Sequence, residues 1–108
     1  MRIVLTSAAG ALALATSLAH AGGDVARGRE VAGQCVVCHG LDGIATRPDA
    51  PNLAGESPFY IEGQLEAFRS GRRRHEIMSL IAGELSDREI ADVAAWYGAI
   101  RVTVELPE

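Results

Sequence analysis

The chain has 108 residues, 10 Lys+Arg against 14 Asp+Glu, a formal net charge of -4, 48% hydrophobic residues and two cysteines, values that bound it to one small, mildly acidic domain. Every base is an arginine, and the acidic balance argues against a broad, sequence-blind nucleic-acid binder, which would be basic overall. With 12 glycines, 4 prolines and ordinary apolar content, collagen-like and disordered chains are excluded too.

Residues 1–21 carry the pattern of a cleavable secretory signal peptide. Arg2 gives a positive start, Ile3 to Ala15 an apolar run rich in Ala and Leu, and Ala19-His20-Ala21 the small-x-small pattern that signal peptidase reads. Cleavage after Ala21 leaves residues 22–108 as the functional domain. The competing reading, an uncleaved membrane anchor, is weakened by Thr6, Ser7, Thr16 and Ser17, which dilute the run. Export places the domain in the bacterial periplasm or beyond, where paired thiols are ordinarily oxidised.

Asp24 is a good N-cap for a first helix over about Val25 to Val37, in which Val25, Gly28, Ala32 and Cys35 recur at helical spacing. The helix runs into Gln34-Cys35-Val36-Val37-Cys38-His39-Gly40, and Cys-x-x-Cys-His is the attachment signature of c-type haem. The two thiols, Cys35 and Cys38, add across the vinyl groups on one porphyrin edge as thioethers. His39, directly after them, then supplies an imidazole nitrogen to the iron as the proximal axial ligand. Three other readings fare worse. A zinc site needs a fourth ligand, for which only His75 is available. A thioredoxin-like pair needs a βαβ context that is not visible, and a plain disulfide leaves His39 unexplained.

Gly40, Gly43 and Pro48 break the chain into a loop to about Gly55. Ser57-Pro58 then signals a second helix, with Ile61, Leu65 and Phe68 as its apolar stripe and Ser70-Gly71 as its stop. Arg72-Arg73-Arg74 follow, a basic run that could coat a solvated turn, steer an acidic partner or pair with a haem propionate. Met78 is the one methionine left after signal removal, a soft sulfur donor suited to the distal axial position. It could instead be a core gap-filler, with His75 as the ligand or the sixth position open. Ser86-Asp87-Arg88-Glu89 is a capping box opening a last helix whose Ile90, Val93, Ala94, Tyr97 and Ile100 recur every three or four residues. The tail from Arg101 alternates Val102, Val104 and Leu106 but has no partner strand, so it reads as a docked or frayed terminus.

From Gly22 to about Ile100 the chain resembles class I cytochrome c, most of all the small bacterial single-haem proteins and one half of the two-haem cytochrome c-four type. The resemblance is carried by Gly28, the Cys35–Gly40 motif, Pro51-Asn52-Leu53-Ala54-Gly55, Tyr60, Gln64-Leu65, Phe68, Gly71-Arg72, Met78, Leu85-Ser86-Asp87 and Ile90 through Tyr97, in that order. It implies an all-α class I cytochrome c fold, three main helices plus short turns around one covalently bound haem c. It also implies that Gly28 lets the aromatic Trp96 approach where the first and last helices cross, and that the Pro51 carbonyl accepts the His39 ring N–H. It places Met78 at the family's axial methionine. The neighbourhood departs from several relatives, with Ser79-Leu80-Ile81 following Met78 where they carry a proline or second methionine nearby.

The expected function is periplasmic one-electron transfer through a His/Met-ligated haem c, not enzymatic catalysis, with redox proteins as transient docking partners and a monomeric state. No nucleic acid and no stable membrane insertion after signal cleavage are expected. The alternatives are a haem subunit of an exported dehydrogenase or sulfur-oxidising complex, and a haem sensor or peroxidase with an open sixth site.

Overall fold

The computed structural model describes residues 22–108, so the expected signal at 1–21 lies outside the described residues. Five α-helices follow in chain order: α1 Val25–Val31, α2 Val36–His39, α3 Pro58–Ser70, α4 Glu76–Gly83 and α5 Asp87–Ala99, with a 3-10 turn at Ala32–Gln34 joining the first two. Among the described residues there is no strand, and no helix is long and apolar enough to cross a membrane.

The helix boundaries follow local chemistry. The Asp24 side chain accepts from Arg27 N–H to open α1, and Ser57 with Pro58 opens α3. Gly71 closes α3 in the left-handed region at φ 82. The capping box of α5 is complete: Ser86 Oγ accepts from Glu89 N–H at 3.1 Å, and Glu89 Oε2 accepts from Ser86 N–H at 2.8 Å.

In place of one helix from Val25 to Val37, the chain makes α1, a tighter turn, and α2, which continues to His39. Cys35 N–H bonds back three residues to Ala32 O at 2.8 Å, and His39 N–H restores the four-residue pattern to Cys35 O at 2.9 Å. The tightened segment contains Gly33, which is exposed and has no neighbour to hold an α geometry. The second difference is α4, which the sequence pattern did not announce.

α1 crosses α5, and α3 packs on both α4 and α5. At the crossing, a Cβ on Gly28 would lie 1.9 Å from Asp92 O and 2.9 Å from Trp96 Cβ. The contact is therefore backbone against backbone, with only the stem of Trp96 alongside. Its indole donates elsewhere, from Nε1 to Leu41 O at 2.9 Å. A polar clasp sits beside the crossing. Asp92, only 3% exposed, accepts from Asp24 N–H at 2.7 Å and from Arg27 Nε at 3.0 Å. The core below joins Ile61, Leu65 and Phe68 of α3 to Ile90, Val93 and Tyr97 of α5. Each of these side chains contributes on the order of 1.5–3 kcal/mol by leaving water. The tail from Arg101 is irregular and exposed.

Candidate haem site

The loop after α2 is shaped to fix His39. Gly40 ends α2 at φ 72, a conformation that side chains with a Cβ avoid, and its carbonyl accepts the buried Tyr97 hydroxyl at 2.9 Å. Gly43, at φ 73, accepts at its carbonyl from Leu53 N–H at 2.8 Å and Ala54 N–H at 3.1 Å. This fold-back brings Pro51 O to 2.8 Å from His39 Nδ1. A carbonyl can only accept, so Nδ1 carries the proton and Nε2 keeps its lone pair free for a metal. His39 is 8% exposed, so the ring is held rather than solvated.

A cavity of about 380 Å³ opens between the helices. Cys35, Cys38 and His39 of the α2 segment line it, and so does Met78 from α4. Its apolar lining includes Leu53, Ile61, Leu65, Phe68 and Val93. Met78 is half-buried against the core. All five nominated residues, Pro51 included, therefore border one space. Burial pushes the Cys35 thiol up, with the Tyr97 hydroxyl partly opposing it. Burial likewise raises Tyr97, followed by the proximity of Cys35, and keeps its O–H a donor. The site thus favours uncharged sulfur, which a thioether is.

The polar rim draws its arginines from two segments. Of the three consecutive arginines only Arg73 borders the cavity. It is already engaged, donating from Nη1 to Gln64 Oε1 at 2.7 Å with its guanidinium 4.5 Å from the Phe68 ring centroid. Arg72 donates from Nε to Ser70 Oγ at 3.2 Å. Arg47 and Asp49, which the sequence did not single out, also border the cavity and pair at 2.9 Å. The Arg47 hydrogen bond, ahead of its charge, holds the Asp49 carboxyl below its ordinary range. His75 is exposed, and its ring is the N-cap of α4. The signal for that role was local: His75 stands at the loop boundary, Glu76 follows in the first turn and Ser79 lies four residues on.

Among the described residues no group of three or more His, Cys, Asp or Glu is placed to hold a bare metal ion. Two thiols and one oriented imidazole on a single segment, a thioether from another and an apolar lining between them fit a large, flat, covalently tethered haem.

Comparison with known proteins agrees. The family profile for cytochrome c matches residues 25–97. The chain is 44% identical over 80 residues to cytochrome c-554(548) of Halomonas halodenitrificans, covering 71% of this chain and 96% of that one. It is 37% identical over 93 residues to cytochrome c4 of Pseudomonas aeruginosa, covering 86% of this chain but 46% of the relative. Among solved structures, reduced recombinant cytochrome c4 from Pseudomonas stutzeri superposes with a TM-score of 0.70 at 30% identity, over 76% of this chain and 48% of that one. A thiosulfate dehydrogenase from Marichromatium purpuratum reaches 0.67 at 39% identity, over 71% of this chain and 19% of that one. The chain thus spans nearly all of the first relative and about half the length of the cytochrome c4 chains. On this evidence of fold, profile and identity the chain belongs to the cytochrome c family, electron carriers of the class I fold that hold covalently bound haem c.

Proposed function

We propose that this chain is an exported, periplasmic one-electron carrier whose residues 22–108 hold a single haem c, and that residues 1–21 direct its export. The observation that carries the reading is the convergence of Cys35, Cys38, His39 and Met78 on one apolar cavity, with His39 Nδ1 already bonded to Pro51 O. In this reading Cys35 and Cys38 would tether the group as thioethers, and its iron would be held by His39 through Nε2 and by Met78 through its sulfur. The bound group supplies an iron that alternates between ferric and ferrous states. The residues do the rest. Pro51 O keeps the proton on His39 Nδ1, which orients the ring and makes Nε2 the stronger donor. Ile61, Leu65, Phe68 and Val93 keep water out of the cavity. With His39 and Met78 both holding the iron, no coordination site would remain for a substrate, and among the described residues no other cluster bordering the cavity resembles an acid–base or nucleophilic constellation. The chain therefore acts as a carrier and not as an enzyme.

Partners are larger redox proteins met by short-lived docking of a monomer, an encounter that suits a small, mostly polar interface. A second reading, a haem-bearing subunit or acceptor of an exported dehydrogenase, is favoured by the similarity to the thiosulfate dehydrogenase structure. A stoichiometric partner retained on gentle purification distinguishes it from a free shuttle. The ligand set is tested by the near-infrared spectrum of the ferric holoprotein. A sulfur-to-iron charge-transfer band that disappears in Met78→Ala supports the assignment, and its absence from the native protein overturns it.

A further inference from the structure

Met78 lies three residues into α4, so whatever fixes the start of this eight-residue helix fixes the approach of its sulfur. The N-cap is His75, outside the Ser, Thr, Asp and Asn set that ordinarily serves there. His75 Nδ1 accepts from Ile77 N–H at 3.3 Å and from Met78 N–H at 3.2 Å, so the ring holds the backbone of the methionine itself. The clasp is reciprocal. Ser79 Oγ accepts from His75 N–H at 3.0 Å, and Ser79 N–H donates to His75 O at 2.9 Å. The imidazole is in turn set edge-on to Phe68, with ring centroids 6.4 Å apart and planes 72° apart. Phe68 is 8% exposed and borders the same cavity as Met78.

We propose that His75 is a positioning residue: through Nδ1 and the Ser79 clasp it locks the first turn of α4 and so keeps Met78 on the iron, suppressing transient opening of the distal position. The proposal rests on the assignment of Met78 as distal ligand and adds the element that controls how often that ligand lets go. Without the cap, two N–H groups at the start of α4 lose their partner, and the first turn frays. Phe68 and the core anchor the far side of the helix, so the defect stays local and the fold as a whole persists.

The test uses the ferric holoprotein and its His75→Leu, His75→Asn, Ser79→Ala and Met78→Ala variants. Added imidazole reports opening, because it binds iron only when the sulfur has left. The temperature at which the sulfur-to-iron band fades, compared with the loss of far-ultraviolet circular dichroism, reports opening independently of unfolding. The proposal expects His75→Leu to bind imidazole roughly tenfold faster, the factor that loss of one cap implies. The band of that variant fades well before the helices melt. His75→Asn, which restores a short acceptor, stays close to native, and Ser79→Ala falls between. Equal imidazole rates and equal band melting in native, His75→Leu and Ser79→Ala proteins overturn the proposal. Should His75→Leu fail to fold, Ser79→Ala alone decides it on the same readouts. A native protein with no sulfur band overturns the Met78 assignment itself, and this inference with it, an outcome separate from a native band that ignores His75.

Discussion

Substituting Gly28 with alanine puts two effects of opposite sign in competition, and the structure decides between them. As a residue inside α1, Gly28 is poor, and alanine there would gain about 0.5–1 kcal/mol in helix propensity. Against this, the new Cβ would lie 1.9 Å from Asp92 O, 2.6 Å from Asp92 C and 2.9 Å from Trp96 Cβ. Relief needs a separation of roughly 1.5 Å between two helix backbones, since carbon contacts are comfortable only near about 3.5 Å. The obstacle is main chain, which cannot rotate away, so the cost falls toward the top of the roughly 1–3 kcal/mol range for overpacking. The same movement pulls Asp92 away from Asp24 N–H and Arg27 Nε, two bonds of the clasp. The net loss is about 2 kcal/mol or more, a fall of roughly 8–16 °C in Tm for a domain of this size. Gly63 is the control. It lies inside α3 with nothing within 4 Å of an added Cβ, so Gly63→Ala keeps the propensity gain and raises Tm by about 2–8 °C. Thermal and guanidinium unfolding of the holoproteins, followed by far-ultraviolet circular dichroism, measures both. A Gly28→Ala protein as stable as the native one would refute the close-contact argument, as would a Gly63→Ala protein that is clearly destabilised.

Two further substitutions probe the last helix. Ser86→Ala removes half of a complete capping box and should cost about 1 kcal/mol in guanidinium unfolding with an unchanged m-value; no loss would mean the cap is not limiting. Asp92→Asn should cost about 1–3 kcal/mol at neutral pH, because it weakens the hold on Asp24 N–H and leaves Arg27 without its buried carboxylate. The same site carries a pH signature. Burial alone would raise the Asp92 carboxyl, but the Arg27 and Asp24 hydrogen bonds outweigh it and hold the group below its ordinary 3.8. A carboxyl depressed in the folded state binds more protons when unfolded, so its contribution is complete above about 3.8 and is lost as the pH falls through the lower folded value. The stability gap between native and Asp92→Asn proteins should therefore be flat from neutral pH to about 5 and close in strong acid. A gap that closes near neutrality would contradict it.

The sequence exposed those parts of the fold whose signals are local. Ser57-Pro58, Gly71 and the Ser86–Glu89 box each mark a helix end by chemistry within four residues, and the structure has each boundary there. Cys35, Cys38 and His39 stand out in the sequence because haem attachment needs those types at that spacing, and the structure brings all three to one cavity. What stayed hidden depends on distance or on unusual partners. α4 is only eight residues long, so the helical spacing of Ile77, Leu80 and Ile81 runs over too few turns to announce it, and its cap is a histidine. Nothing near Gly28 in the chain reveals that Asp92 O lies against it 64 residues away, so the partner expected from the family resemblance was the Trp96 side chain and not the main chain. The break at Ala32–Gln34 was missed for a different reason, since a 3-10 turn preserves the apolar spacing on which the continuous-helix expectation rested.

A potentiometric titration of the holoprotein, followed optically under nitrogen and again under carbon monoxide, tests most directly whether the chain is an electron carrier with both axial positions filled by its own residues. Carbon monoxide binds ferrous iron selectively, so any accessible coordination site stabilises the reduced state and raises the midpoint. With His39 and Met78 on the iron, a single reversible one-electron transition with the same midpoint under both gases is expected. A midpoint that moves upward under carbon monoxide would contradict the carrier reading and favour a sensor or peroxidase.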